Sequence, residues 1–343
     1  MRADHYTRRC LLKTAAAAGL TALLRPPFSF AQVELDSGNE SSLSFDAAGT
    51  LNQSPQFIAR YEYRDNVEYG LVRGETVIGL DGDPFGNYAV SDRSIAIADV
   101  RLLAPVTPKK IIGLGSNSYW HRSKMAGEDI TGKGGIPASQ LKPPAVFEKA
   151  SASVAGPGDR VCIPEGTTGI SGSAELAVII SRRAGNVSAT DAGNYIFGYT
   201  CAFDGFAPEI AVNDFDKAKN YPTFCPLGPW IATGINHNEL MEVILRVNGG
   251  LHQKGYTDDY ILGIADAVSL VTSRYELEAG DVILVGALGS GGIAEDEEIA
   301  DVPGFTDIEQ IRAVAYPKYQ HGDTLEVSID RIGAIRLDVR YCS

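Results

Sequence analysis

The sequence predicts an α/β protein dominated by β structure. Short runs rich in Val, Ile and Leu recur along the chain, for example at 177–180, 243–247 and 282–285, and 37 glycines supply many tight turns between them. Only two stretches, 189–194 and 261–272, predict helices. A chain of 343 residues can form one large domain or two modest ones, each with its own core.

Residues 1–31 have the layout of a bacterial twin-arginine signal peptide. Arg8 and Arg9 precede an Ala-rich apolar stretch at 14–24 that is too short to span a bilayer, and 29–31 is a small-x-small cleavage site. An amphipathic N-terminal helix is the alternative interpretation. We expect an exported protein, periplasmic or secreted, whose leader is removed.

The charge of the chain argues against several partners. The formal net charge is −13, and the first 31 residues hold five basic side chains and one acidic one, so the remainder is more acidic still. Such a surface repels nucleic acid and anionic lipid. We expect a small-molecule substrate, no nucleic acid partner, and no membrane association after leader cleavage.

Four cysteines would remain after leader cleavage: Cys162, Cys201, Cys225 and Cys342. An even count in an oxidising compartment permits disulfide bonds, and the spacing fits no zinc motif. Four separate buried thiols are the interpretation that we favour, because free cysteine is a common core residue.

The chain divides into four parts by composition. The leader is followed by a polar segment, 32–55, which we interpret as a linker. Short alternating runs separated by turn formers predict a small antiparallel β domain at 56–105. The remaining residues, 106–343, form the large domain, in which 120–142 has the composition of a mobile loop.

Two glycine clusters, 113–116 and 286–292, each follow a strand-like run. Neither has the spacing of a dinucleotide-binding loop or the Lys-Ser/Thr ending of a phosphate loop. We interpret both as turns at strand ends.

A series of segments in a fixed order carries the main functional signal. They are Lys110–His121, Pro144–Lys149, Gly156–Asp159, Ala174–Ile180, Phe197–Asp204, Lys219, Phe224–Trp230, Val247–Thr257 and Leu277–Ile283. In this order and at these spacings they closely resemble the fumarylacetoacetate hydrolase superfamily, from about Ile58 to Arg336. The combination of Pro-Leu-Gly-Pro-Trp at 226–230 with Glu-Leu-Ala-Val at 175–178 is the most specific part.

The resemblance implies a mixed β-sandwich roll with a small N-terminal β domain, assembled as a homodimer. It also implies a Mg²⁺, Mn²⁺ or Ca²⁺ ion held by a Glu-x-Glu pair on one strand and an aspartate after another. Glutamates at i and i+2 share one face of a strand, and hard ions prefer carboxylate oxygens. In such a site the ion stabilises the enolate formed from a chelating oxo acid.

Mapped onto this chain, the metal ligands of the family fall on Glu175, Asp204 and Ser173. Ser173 stands where the family has the first glutamate, and a neutral hydroxyl is a poor ligand for a hard ion. The resemblance therefore predicts an altered metal site that binds its ion weakly or not at all.

The resemblance also assigns catalytic roles. His121 matches the general base, and Lys219 matches a lysine that stabilises the developing anion. Lys124 occupies the position of the glutamate that orients the histidine, although Glu128 or Asp129 could substitute for it. Taken alone, a single histidine is more often structural, and a single lysine more often lies on the surface.

Substrate-binding positions of the family fall on Asn117, Gln253 and Ala287. Ala287 replaces a threonine, which removes a hydroxyl donor, and Pro208 replaces an arginine that often follows the aspartate. Each of these changes affects a position that touches metal or substrate.

The expected activity is that of a metal-assisted hydrolase or lyase. Its substrate would be a small oxo acid or a β-diketone-like compound, and a C–C or C–O bond would break through an enolate. One alternative is a catalytically silent protein that binds a small molecule outside the cytoplasm. Another is isomerisation or decarboxylation in the same pocket.

Overall fold

The structure, a computed structural model, describes residues 44–45, 51–52, 55–126, 142–289 and 317–342. The leader predicted at 1–31 and nearly all of the linker predicted at 32–55 lie outside these residues. Within the described ranges, no helix is long and apolar enough to cross a membrane.

Nineteen strands and four helices are present in the described ranges. The strands are β1 (Ser44–Phe45), β2 (Leu51–Asn52), β3 (Gln56–Tyr63), β4 (Asn66–Arg73), β5 (Thr76–Gly82), β6 (Tyr88–Ala96), β7 (Arg101–Leu102), β8 (Ile111–Gly115), β9 (Ala145–Lys149), β10 (Val154–Ala155), β11 (Arg160–Ile163), β12 (Ser171–Ile180), β13 (Ile196–Phe206), β14 (Cys225–Thr233), β15 (Glu242–Val247), β16 (Gly250–Tyr256), β17 (Val282–Ala287), β18 (Thr324–Ile329) and β19 (Gly333–Tyr341). The helices are α1 (Tyr119–Ala126), α2 (Pro208–Ala211), α3 (Phe215–Lys219) and α4 (Ile264–Thr272).

The predicted β-dominated fold is confirmed. A 12-stranded sheet has the order β6-β5-β4-β3-β14-β13-β12-β17-β8-β9, with β10 on β14 and β7 on β3. A five-stranded sheet has the order β11-β19-β18-β15-β16. The strands from 56–105 continue the large sheet, because β3 pairs with β14 through Ile58 and Ile231.

The helix predictions are confirmed in part. The stretch 261–272 forms α4, which buries Ile264, Ala267, Val268 and Val271 on one face. The stretch 189–194 forms only a short 3₁₀ helix, Ala192–Tyr195. The loop expected at 120–142 begins as a helix, α1, since no glycine or proline interrupts the chain before Gly127.

The central strands β12 and β13 carry the site. All ten residues of β12 are buried, as are the last nine of β13. Strands covered on both faces have no alternation of polar and apolar residues. Polar groups on these strands, such as Ser173 and Asp204, are therefore held inside the protein and need partners there.

The expectation of four separate buried thiols is wrong for two of the cysteines. Cys162 and Cys342 form a disulfide bond with 5.4 Å between their Cα atoms. The last strand, β19, runs parallel to β11 and brings the end of the chain beside Cys162. Cys201 and Cys225 are buried free thiols, as expected.

Candidate active site

Ser173, Glu175 and Asp204 come together at the pairing of β12 and β13. Ser173 and Glu175 are two residues apart and share one face of β12, and Ser173 lies directly opposite Asp204 in the register. Ser173 Oγ donates a hydrogen bond to Glu175 Oε1 at 3.3 Å. Exposure is 6% for Ser173 and 3% for each acid. The structure thus brings together the three residues that the sequence assigned to a metal.

Asp204 is bound by two ammonium groups. Lys149 Nζ lies 2.9 Å from Asp204 Oδ1, and Lys219 Nζ lies 2.5 Å from Asp204 Oδ2. Burial alone would raise the pKa of Asp204, but the charges and hydrogen bonds of the two lysines outweigh it and hold the pKa below its ordinary value. Asp204 is therefore an ionised carboxylate at neutral pH.

Sequence reasoning missed Lys149. It ends β9, its side chain is fully buried, and Nζ also donates to the carbonyl oxygens of Gly205 at 3.0 Å and Lys219 at 2.7 Å. The sequence signal that could have indicated its role is a lysine at the end of a short, strand-like run. A lysine buried at such a position needs a partner of opposite charge. Lys149 fixes both Asp204 and the backbone at Lys219.

Glu175 has the opposite electrostatic environment. Its Oε2 accepts a hydrogen bond from the Gly286 amide at 3.0 Å. The pKa of Glu175 is raised to about 8: burial raises it most, the negative charge of Asp204 adds to this, and Lys219, the Gly286 amide and the Ser173 hydroxyl offset only part of the rise. The carboxyl of Glu175 therefore exchanges its proton close to neutral pH, whereas that of Asp204 does not.

His121 is carried to the same end of the sheet. Strand β8 runs parallel to β17 with Gly113 opposite Leu284, and Ala287 at the end of β17 lies opposite Glu175. The chain that leaves β8 and enters α1 therefore lies near Glu175. His121 is half-buried on α1, and its backbone amide donates to Ser118 Oγ at 3.1 Å.

The groups proposed to pair with His121 cannot be placed. Glu128 and Asp129 lie outside the described residues, and so does the side chain of Lys124. The assignment of His121 as general base remains a prediction.

The amides of Asn117 and Gln253 brace the backbone, and their assignment to substrate binding stays a prediction. Asn117 Nδ2 donates to two backbone carbonyls at 2.8 and 3.0 Å, and its Oδ1 accepts a backbone amide at 3.0 Å. Gln253 binds both the amide and the carbonyl of Ala174 and also the carbonyl of Leu288. Both side chains are fully buried, and each uses its oxygen and both N–H groups on backbone.

Two other departures from the family pattern lie on elements of the site. Ala287 is buried opposite Glu175, where its methyl group offers no hydrogen bond. Pro208 is buried at the start of α2, four residues after Asp204. Neither residue can bind a substrate oxygen through its side chain.

These side chains do not fit a tightly held Mg²⁺, Mn²⁺ or Ca²⁺ ion. Both oxygens of Asp204 face ammonium groups, and the oxygens of Glu175 face the Ser173 hydroxyl and the Gly286 amide. Among the residues that the structure describes, no three His, Cys, Asp or Glu side chains converge on one point. A hard divalent ion needs more anionic oxygen than one carboxylate occupied by two lysines and a second that keeps its proton near neutral pH.

Comparison with known proteins agrees with this fold. The family model for the fumarylacetoacetate hydrolase C-terminal domain matches residues 110–340. The chain belongs to the fumarylacetoacetate hydrolase family. A second model, the Rv2993c-like N-terminal domain, matches residues 58–105. The family resemblance noted from the sequence is confirmed.

Several relatives of the family are similar over most of the chain. Protein Rv2993c of Mycobacterium tuberculosis is 30% identical over 276 residues, which are 77% of this chain and 98% of the relative. Oxaloacetate tautomerase YisK of Bacillus subtilis is 31% identical over 260 residues, 74% of this chain and 76% of the relative. The solved 2-hydroxyhepta-2,4-diene-1,7-dioate isomerase of Mycobacterium marinum has a TM-score of 0.67 at 25% identity, covering 83% and 98% of the two chains.

Proposed function

We propose that the protein is an enzyme that forms the enolate of a small 2-oxo acid beside Lys219. The observation that carries the proposal is the pair of lysines on Asp204. The side chain of Lys149 is fully buried and holds Asp204, whereas that of Lys219 is 11% exposed. Lys219 is thus the ammonium group that a substrate oxygen can reach.

An enolate needs a positive group at the oxygen where its negative charge develops. Such a group stabilises the anion most when it is fixed in advance in a site that excludes water. Asp204 holds the Lys219 ammonium in place, and Lys149 holds the Lys219 backbone carbonyl. In a site that fits a divalent ion poorly, Lys219 carries the role that a metal would otherwise have.

The proton transfer is assigned to His121. The base removes a proton from the carbon next to the oxo group, and the electron pair moves into the C–C bond while the oxo oxygen becomes the enolate. Return of the proton to oxygen gives the enol, and return to carbon restores the oxo acid. His121 follows β8, at the end of the sheet that holds Glu175, and this position supports its role as the base.

Proton transfer is a narrower activity than the hydrolase or lyase that the sequence suggested. Hydrolysis requires an activated water, and Lys124 stands where some members of the family have the glutamate that orients the histidine. The relatives named as a tautomerase and an isomerase support a reaction that needs no water. Cleavage of a C–C bond would be an alternative reaction of the oxo acid, in which the electron pair of the breaking bond moves towards the oxo group and forms the enolate that Lys219 would stabilise.

Exchange of the C3 protons of 2-oxo acids for deuterium tests the proposal. Proton NMR in D₂O would follow pyruvate, phenylpyruvate and oxaloacetate with EDTA present, against a protein-free control. We expect catalysed exchange of at least one acid, and a loss of about 10²-fold or more in His121→Asn. Exchange that requires added Mn²⁺ would refute the role of Lys219. No exchange under any condition would favour a silent binding protein.

A further inference from the structure

Three phenyl rings surround the ammonium group of Lys219, and the chemistry proposed above does not use them. Lys219 Nζ lies 4.9 Å from the ring centres of both Phe147 and Phe206 and 5.9 Å from that of Phe215. The rings come from three elements: β9, the end of β13 and the start of α3. Ring faces attract a cation, so the rings help to fix the ammonium at the site.

The rings differ in how far they reach solvent. Phe206 is buried and Phe147 is partly buried, whereas Phe215 is 50% exposed. Phe215 packs edge-to-face on Phe147, with 6.1 Å between ring centres. Val212, in the turn before α3, is 47% exposed. We call Val212 and Phe215 the apolar rim.

An apolar rim beside a buried charge is the arrangement of a ligand pocket. Such pockets are mostly apolar, and a few polar groups orient the ligand. The ammonium of Lys219 would bind the oxo acid, and the exposed face of Phe215 would contact the rest of the molecule.

The charged residues beside the apolar rim indicate which kind of substrate tail can bind there. Asp214 and Asp216 flank Phe215 in the chain and are exposed, and Lys217 follows them. The net charge of these three residues is negative, so a second carboxylate on the substrate would be repelled there. An uncharged apolar group meets no such penalty and removes the exposed ring from water.

We propose that the substrate is a 2-oxo acid with an apolar tail, aryl or branched alkyl, which packs on Val212 and Phe215. The inference rests on the proposed function for the oxo-acid end of the molecule. It distinguishes this protein from an enzyme specific for dicarboxylic acids, and it makes Phe215 the residue that sets specificity.

Isothermal titration calorimetry with pyruvate, phenylpyruvate and oxaloacetate, in EDTA, tests the inference. Phenylpyruvate differs from pyruvate only by its phenyl group. We expect the wild-type Kd for phenylpyruvate to be at least tenfold below those of the other two acids. Phe215→Ala should remove most of this preference, because the Kd for phenylpyruvate should rise several-fold more than the Kd for pyruvate. Tyr88→Ala, at an exposed aromatic on β6, is the matched control and should change nothing.

The outcomes separate this inference from the proposed function. Equal wild-type affinities for the three acids, or an equal loss for pyruvate and phenylpyruvate in Phe215→Ala, would overturn the inference alone if proton exchange is still catalysed. Selective binding of phenylpyruvate without catalysed exchange would overturn the proposed function and leave the apolar tail supported. Absence of binding by all three acids would overturn both.

Discussion

Glu175 makes the stability of the protein depend on pH. Its pKa is about 8 in the folded protein against an ordinary value of 4.5. Between these values the folded state keeps a proton that the unfolded chain has released. The free energy of unfolding contributed by this group is therefore fully present below pH 4.5 and is lost as pH rises through 8.

Glu175→Gln should remove this dependence, because the amide keeps the shape of the protonated carboxyl and never ionises. We expect the variant to melt higher than wild type at pH 9, by roughly 3 °C or more, with the difference shrinking towards pH 5. Thermal denaturation across this range, in EDTA, measures it. A difference that is constant with pH would mean that Glu175 titrates normally.

Ser173 is the residue that we expect to weaken binding of a divalent ion at this site. It lies between Glu175 and Asp204, on the same face of the sheet. Ser173→Glu adds a third carboxylate, and we expect it to tighten Mn²⁺ or Mg²⁺ binding by about tenfold or more, which corresponds to about 1.4 kcal/mol. Calorimetric titration of both proteins with each ion provides the measurement. Equal affinities would show that the lysines on Asp204, and not Ser173, keep the ion out.

At the residue scale, the sequence predicts some contacts and cannot predict others. The grouping of Ser173 with Glu175 follows from strand periodicity, and Lys219 follows from its place in the family pattern. The two lysines on Asp204 require a contact between β9 and β13 that no local pattern specifies. The hydrogen-bond partners of Gln253 lie 35 and 79 residues away in the chain, so the sequence could not predict that Gln253 braces the backbone.

The end of β19 is fastened by the Cys162–Cys342 disulfide bond. The bond closes a loop with a sequence separation of 180, so it restricts the unfolded chain strongly. We expect Cys342→Ser to lower the free energy of unfolding by about 3 kcal/mol under oxidising conditions. Chemical denaturation with and without dithiothreitol measures this. If the difference persists in full after reduction, the lost stability does not come from the bond.

At the element scale, strands were easier to predict than short helices. The apolar runs at 177–180, 243–247 and 282–285 all lie in strands, β12, β15 and β17. Helix α1 was missed because its eight residues are mostly polar and show no clear apolar face. The disulfide was missed because the two cysteines meet only through the pairing of β11 with β19.

The whole molecule is expected to act outside the cytoplasm. The Arg8-Arg9 pair predicts twin-arginine export, and a disulfide bond agrees with an oxidising compartment. Replacing both arginines with lysine should leave the protein in the cytoplasm with its leader uncut. Cell fractionation and the mass of the protein measure this. Normal export and processing of the variant would show that another pathway recognises the leader.

The continuity of the large sheet is the feature of the whole molecule that the sequence described least well. Composition predicted a small antiparallel β domain at 56–105 but not that β3 pairs with β14, which joins these strands to the large sheet. Which distant strands pair with each other depends on the edges that they present in the folded sheet, and a single sequence does not show these edges. The homodimer implied by the family remains a prediction, and sedimentation at micromolar concentration tests it.

The central claim is that the Lys219 ammonium stabilises an enolate without a metal ion. The direct measurement is the rate of C3 proton exchange, in EDTA, for Lys219→Met and for Lys217→Met, an exposed lysine on the same helix. We predict that Lys219→Met loses about 10²-fold or more in kcat, while Lys217→Met keeps the wild-type rate. Equal rates in the two variants, or full activity of Lys219→Met, would contradict the account.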